Sequence, residues 1–136
     1  MITAVDTNVL VDVFAADPVF GERSADALRA CATEGRLVAC EIVWAEVATV
    51  FPEADAAADA LATLGIDYHA TAAPTALIAG ARWRDYRRRG DTRQRLVADF
   101  LIGAHAAADA DRLLTRDRGF YRTYFKGLEI LDPSDS

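Results

Sequence analysis

Apolar positions along this chain fall into short solid runs separated by longer stretches of helical period. Residues 2–5, "ITAV", suit a buried strand, and 36–40, 66–71, 112–115 and 128–131 repeat the type. Residues 8–15 read as a first helix. Asp17-Pro18 makes a turn, and the helix after it stops at Gly35. Residues 41–51 predict a helix ended before Pro52. From Pro52 to Gly65 a proline opens a helix and a glycine follows its end. Helices are also predicted over 74–90 and 93–108, and 116–125 is a loop or short helix. No two-residue hairpin signal occurs. Short strands alternating with helices predict an α/β sandwich around a mainly parallel sheet. With no repeat, linker or low-complexity stretch, residues 1–136 read as a single domain, long enough to bury a core.

Charge changes this picture only in its distribution. The chain carries a net charge of −6, which by itself argues against a nucleic-acid partner. Residues 1–81, however, hold three Arg against twelve Asp and Glu, whereas 82–136 hold twelve Lys and Arg against nine acids. Such asymmetry points to one side that faces a polyanion. Cys31 and Cys40 form no CxxC or Cys/His cluster and read as reduced thiols of a cytosolic protein. The opening apolar run is too short for a signal peptide, and no run is long enough to span a membrane. The expected location is cytoplasmic.

The candidate chemistry lies in four carboxylates. In an open parallel sheet, ligands bind beyond the carboxyl ends of the strands. Asp6 directly follows the strand 2–5, and Asp117 comes two residues after 112–115, so both are expected at one edge. On the helix 41–51, Glu46 has Ile42 and Val43 one turn before it and Val50 one turn after. That places it on the apolar stripe expected to face the sheet. On the helix 93–108, Asp99 has Leu96 at −3, Ile102 at +3, Gly103 at +4 and Ala106 at +7. Buried carboxylates are costly unless paired. A divalent cation would relieve four of them at once, and carboxylate oxygens without soft ligands select Mg²⁺ or Mn²⁺. Simpler readings stand beside these: Asp6 as a helix cap, Asp117 as a turn residue, and Arg95 or Arg116 as salt-bridge partners.

Other chemistries find less support. There is no glycine-rich phosphate loop. His69 and His105 lack a suitably spaced Ser or Cys and read as ordinary histidines. An aspartyl-nucleophile phosphatase or phosphotransferase also ends its first strand in Asp. Its second acid, however, would fall on Asn8, and Lys126 is the only lysine. A catalytically inactive RNA-binding module is the alternative from a different class.

With these residues in place, the chain resembles the PIN-domain ribonucleases, especially the small VapC-like toxins of type II toxin–antitoxin pairs. The resemblance spans essentially the whole chain. It rests on "AVDTNVLVD", "WAEV", "ADFLIGAHA" and "LLTRDRGFYRTYF" followed by "LEIL". It implies a three-layer α/β/α sandwich with a mainly parallel central sheet. It also implies an Mg²⁺- or Mn²⁺-dependent endoribonuclease that cleaves single-stranded or looped RNA, a cognate antitoxin, and a homodimer. The family's metal-binding acids fall on Asp6, Glu46, Asp99 and Asp117. Asn8 matches the polar residue supporting the first acid, and Thr115 the hydroxyl near the last. One departure is Cys40-Glu41, where such toxins often carry a small hydroxyl residue, so Glu41 stands at the rim.

The stretch "RWRDYRRRGDTRQR" (82–95) holds seven of the fifteen basic residues, interleaved with Trp83 and Tyr86. Arginines there can contact phosphates and aromatics can stack on unpaired bases. Arg87, Arg88 and Arg93, with Arg116 and Arg118 beside Asp117, are the candidate RNA contacts.

Overall fold

A computed structural model of the chain describes residues 1–90 and 95–135. Its centre is a five-stranded sheet of β1 (Ile2–Val5), β2 (Arg36–Ala39), β3 (Ile66–Tyr68), β4 (Arg112–Leu114) and β5 (Glu129–Leu131). Every pairing is parallel and the strand order is β3-β2-β1-β4-β5. The chain first builds outward from β1 on one side, then returns to lay β4 and β5 on the other. Because βαβ crossovers are right-handed, the two series of connections pass over opposite faces, which gives the α/β/α sandwich. The reversal point lies between β1 and β4, where doubly wound sheets open a crevice at their carboxyl edge.

Among the described residues there are seven helices: α1 (Thr7–Phe14), α2 (Gly21–Glu34), α3 (Glu41–Ala48), α4 (Ala54–Thr63), α5 (Ala73–Arg88), α6 (Val97–Asp109) and α7 (Arg118–Tyr124). The helix α3 is shorter than its sequence pattern predicts. Its last turn tightens into i→i+3 bonds, Val50 N–H to Val47 O and Phe51 N–H to Ala48 O. Likewise β3 stops at Tyr68, not at residue 71, and residues 116–125 resolve into α7. Gly35 ends α2 for a steric reason. A Cβ there would sit 1.8 Å from the Met1 carbonyl oxygen, which accepts the Arg36 N–H at 3.0 Å.

The core lies on both sides of β1 and β4, with Val5, Leu113 and Leu114 fully enclosed. Cys31 and Cys40 are buried free thiols. An aromatic cluster of Phe100, Phe120, Tyr121, Tyr124, Phe125 and Tyr86 joins α6, α7 and α5, with mostly edge-on or tilted rings. Gly103 lets α6 approach it: an added Cβ would lie 2.3 Å from the Phe125 ring. Phe125 is itself buried against Phe100 and Tyr121 and has little room to yield. Gly103→Ala should therefore cost stability. Overpacking of ~1–3 kcal/mol outweighs the ~1 kcal/mol that alanine returns in helix propensity. Chemical denaturation of the two chains checks this, and an unchanged or higher midpoint would refute it. Among the described residues, no helix is long and apolar enough to cross a membrane.

Candidate active site

The ends of β1 and β4 are joined side by side. The Asp6 N–H donates to the Leu114 carbonyl at 2.9 Å, so the residues that leave the two strands emerge together. Asp6 caps α1, and its Oδ1 accepts the Thr7 N–H at 2.7 Å. Its Oδ2 accepts the Thr115 hydroxyl at 2.7 Å and the Asn8 amide at 3.3 Å. Asn8 also ties α1 to the segment after β4, accepting the Arg116 N–H at 3.1 Å. Thr115 Oγ1 in turn accepts the Asp117 N–H at 3.0 Å. The capping reading of Asp6 is thus correct as geometry, and it is also what orients the carboxylate within a hydrogen-bonded set.

Asp99 arrives from the first turn of α6, where its Oδ2 accepts the Leu96 N–H at 3.3 Å. Asp117 precedes α7, and its Oδ2 accepts from Arg95 Nη1 at 2.5 Å. The charge of Asp99 reaches Asp6, and that of Asp117 reaches Asp99. Burial pushes the Asp6 carboxyl up to about 6, against hydrogen bonds from Thr115, Thr7 and Tyr121, with the charge of Asp99 adding to the rise. Burial likewise raises Asp99; Arg95 opposes the rise and the charge of Asp117 adds to it. Burial, with the charges of Asp6, Asp99 and Asp117, pushes the Tyr121 hydroxyl well above its usual range. Burial lowers the basicity of Arg95, but the hydrogen bond and charge of Asp117, together with Asp99 and Tyr121, outweigh it, so its pKa rises overall.

Tyr121 and Arg95 therefore stand among the candidate acids, where reading for acids alone passes over them. Tyr121 stands one turn after Asp117 on α7, a spacing that could have flagged it. Arg95, a salt-bridge candidate from the sequence, does pair with Asp117. Arg116, the other candidate, is taken by Asp12, which its guanidinium meets at 2.6 and 2.9 Å.

Glu46 requires a correction. It does not lie on the buried stripe of α3, which consists of Val43 and Val47. Glu46 is exposed beside that stripe, and Val50 is exposed beyond the helix end. Its carboxylate nonetheless turns toward α1, accepting the Thr7 hydroxyl at 2.7 Å. Thr7 thus connects Glu46 to Asp6. Leu96 is likewise not part of a buried face around Asp99: it caps α6 and is 68% exposed. Glu41 turns away to the loop after β3, taking the Thr71 hydroxyl at 2.6 Å and the Thr71 N–H at 3.0 Å.

Of the candidate RNA contacts, Arg87 and Arg88 are exposed at the end of α5, with Arg87 over the Trp83 ring. Arg118 pairs with Asp132 and Asp135, while Arg116 stacks on Phe20 as well as binding Asp12. Arg93 lies outside the described residues.

The donor set suits a hard divalent cation: oxygens only, with two carboxyls held toward their protonated form by burial. The four acids are not drawn into a tight cage. Among the described residues, the one group of three or more candidate ligands lying within 4.8 Å of one another is His69, His105 and Asp109.

The PIN domain family model matches residues 3–126, and the chain belongs to that family. Solved structures share its fold. A chain of the VapBC2 complex from Rickettsia felis, bound to a promoter DNA fragment, is 20% identical with a TM-score of 0.73, covering 97% of this chain and 98% of that one. A chain of FitAcB from Neisseria gonorrhoeae is 21% identical with a TM-score of 0.70 over 100% of both. VapC20 from Mycobacterium tuberculosis, described as a sarcin-ricin loop cleaving toxin, is 16% identical with a TM-score of 0.54, covering 82% and 86%. No curated protein matches the chain in sequence.

Proposed function

We propose that this chain is a divalent-metal-dependent endoribonuclease, the toxin of a toxin–antitoxin pair, acting in the cytoplasm on single-stranded or looped RNA. The observation that supports it most is the meeting of Asp6, Asp99 and Asp117 at the carboxyl edge between β1 and β4, in a chain of the PIN family. Asp6, Glu46, Asp99 and Asp117 would hold Mg²⁺ or Mn²⁺. Such an ion, when bound, polarises a phosphate oxygen and lowers the pKa of water toward neutrality.

The chain's own residues prepare the site. Thr115 and Asn8 orient the Asp6 carboxylate, and Thr7 steers Glu46 toward it. Arg95 fixes Asp117 and places a positive charge beside the acids. Asn8 stands where an aspartyl-nucleophile phosphotransferase needs its second acid, which disfavours that alternative. The exposed Arg87 and Arg88 offer charge for an RNA backbone.

A cognate antitoxin and a second copy of this chain are the proposed protein partners, and residues 1–136 the proposed single domain. Solved relatives in fold are named as two-component complexes. Leu77 and Ile78 are exposed apolar side chains on α5 that a protein partner would cover. The pairing of Arg95 with Asp117 indicates that a guanidinium fits among these acids, so an antitoxin arginine is a chemically suitable blocker.

Cleavage of a single-stranded RNA by the purified chain tests the reading. Mg²⁺ or Mn²⁺ should support internal cuts, and excess EDTA should abolish them. Cleavage undiminished in EDTA would overturn the metal-dependent reading.

A further inference from the structure

Outside the acidic site, three side chains from two parts of the chain bring their ligand atoms together. His69 follows β3 directly, with its N–H held by the Ala39 carbonyl at 3.1 Å. His105 and Asp109 stand one turn apart on α6, the i,i+4 spacing that puts two side chains on one helix face. His69 Nδ1 lies 3.0 Å from His105 Nε2 and 3.8 Å from Asp109 Oδ2. All three ligand atoms fall within 4.8 Å of one another. His105 is 1% exposed, whereas His69 faces solvent, so the group has a buried floor and an open side.

We infer that His69, His105 and Asp109 form a zinc-class metal site, distinct in place and in ligand chemistry from the four-carboxylate site. Donors around a tetrahedral Zn²⁺ with bonds near 2.0–2.1 Å sit about 3.3 Å apart. The distances of 3.0 and 3.8 Å bracket that spacing. A single N–H···N hydrogen bond between the two imidazoles leaves the carboxylate with a long contact. A cation satisfies all three, and water can fill the fourth position from the exposed side. Imidazole nitrogen selects Zn²⁺, Cu²⁺ or Ni²⁺ over Mg²⁺. The ion would fasten the segment after β3 to α6, the helix whose first turn presents Asp99.

The test is calorimetric titration of Zn²⁺ into the untagged full chain carrying Asp99→Asn, which weakens the acidic site. One Zn²⁺ per chain is expected. Adding His69→Ala should weaken its affinity by more than the ~10–100-fold that losing an outer-shell partner costs, and adding Asp109→Asn should weaken it too. His69 is exposed, so the variant is expected to fold; thermal melting without metal confirms that. Co²⁺ in place of Zn²⁺ should give the visible absorption of a four-coordinate ion, lost in His69→Ala. Equal Zn²⁺ affinity with and without His69, or no uptake by the Asp99→Asn chain, would overturn the assignment.

Discussion

Asp99→Asn should lower RNA cleavage by at least ~100-fold, the scale on which a single electrostatic group at a reacting centre acts, without destabilising the metal-free chain. The two halves of this expectation have one origin. Asp99 is half-buried in the first turn of α6, and burial raises its pKa despite Arg95, with Asp117 adding to the rise. The folded chain therefore disfavours the charge that a cation would need there. Asparagine keeps the shape and the carbonyl oxygen that accepts the Leu96 N–H, but removes the charge. A loss of activity with unchanged or higher melting temperature in EDTA separates a ligand role from a structural one. Activity within a few-fold of the parent would remove Asp99 from the site.

The second large effect is in pH. Asp6 has a folded-state pKa of about 6 against an ordinary 3.8. Between those values the folded chain holds a proton that the unfolded chain has released, so raising the pH through this window favours unfolding. At about 1.4 kcal/mol per pKa unit, ionising Asp6 should cost the metal-free chain ~3 kcal/mol once the pH is above both values. Other groups also titrate there, so the comparison with Asp6→Asn isolates the effect. The variant's advantage over the parent in EDTA should be small near the lower pKa and grow toward neutral pH. Denaturant melts at both ends of the window measure it. A difference independent of pH would mean that the folded chain does not hold Asp6 protonated. Saturating Mg²⁺ should narrow the gap at neutral pH by stabilising the charged form.

Residues placed by chain order alone were the most legible. Asp6 and Asp117 follow strands, and in a parallel sheet every strand delivers its last residue to the same edge. Helical residues were harder, because their exposure depends on where a helix stops and how it is rotated. Ile42, Val43 and Val50 suggest an apolar stripe through Glu46, yet the buried positions of α3 are Val43 and Val47, and Val50 is exposed beyond its end. Leu96 looked like a core residue of α6 and is instead its exposed cap. Pairs made across the fold left no trace in spacing. Arg116 with Asp12, and His69 with His105, meet only because of how helices lie against the sheet. Ordinary residue types do not announce such meetings in advance.

The placement of β1 also bears on how the chain is made. As synthesis proceeds from the N-terminus, β1 can pair with β2 early, but its other side waits for β4 at residues 112–114. The Thr115 hydroxyl that orients Asp6 comes later still, 109 residues downstream. A nascent chain on the ribosome therefore holds Asp6 and Glu46 long before Asp117 exists to complete the set. Contacts of such long range form late and slowly. On the proposed ribonuclease reading, this order delays the assembly of a complete site until nearly the whole chain has emerged.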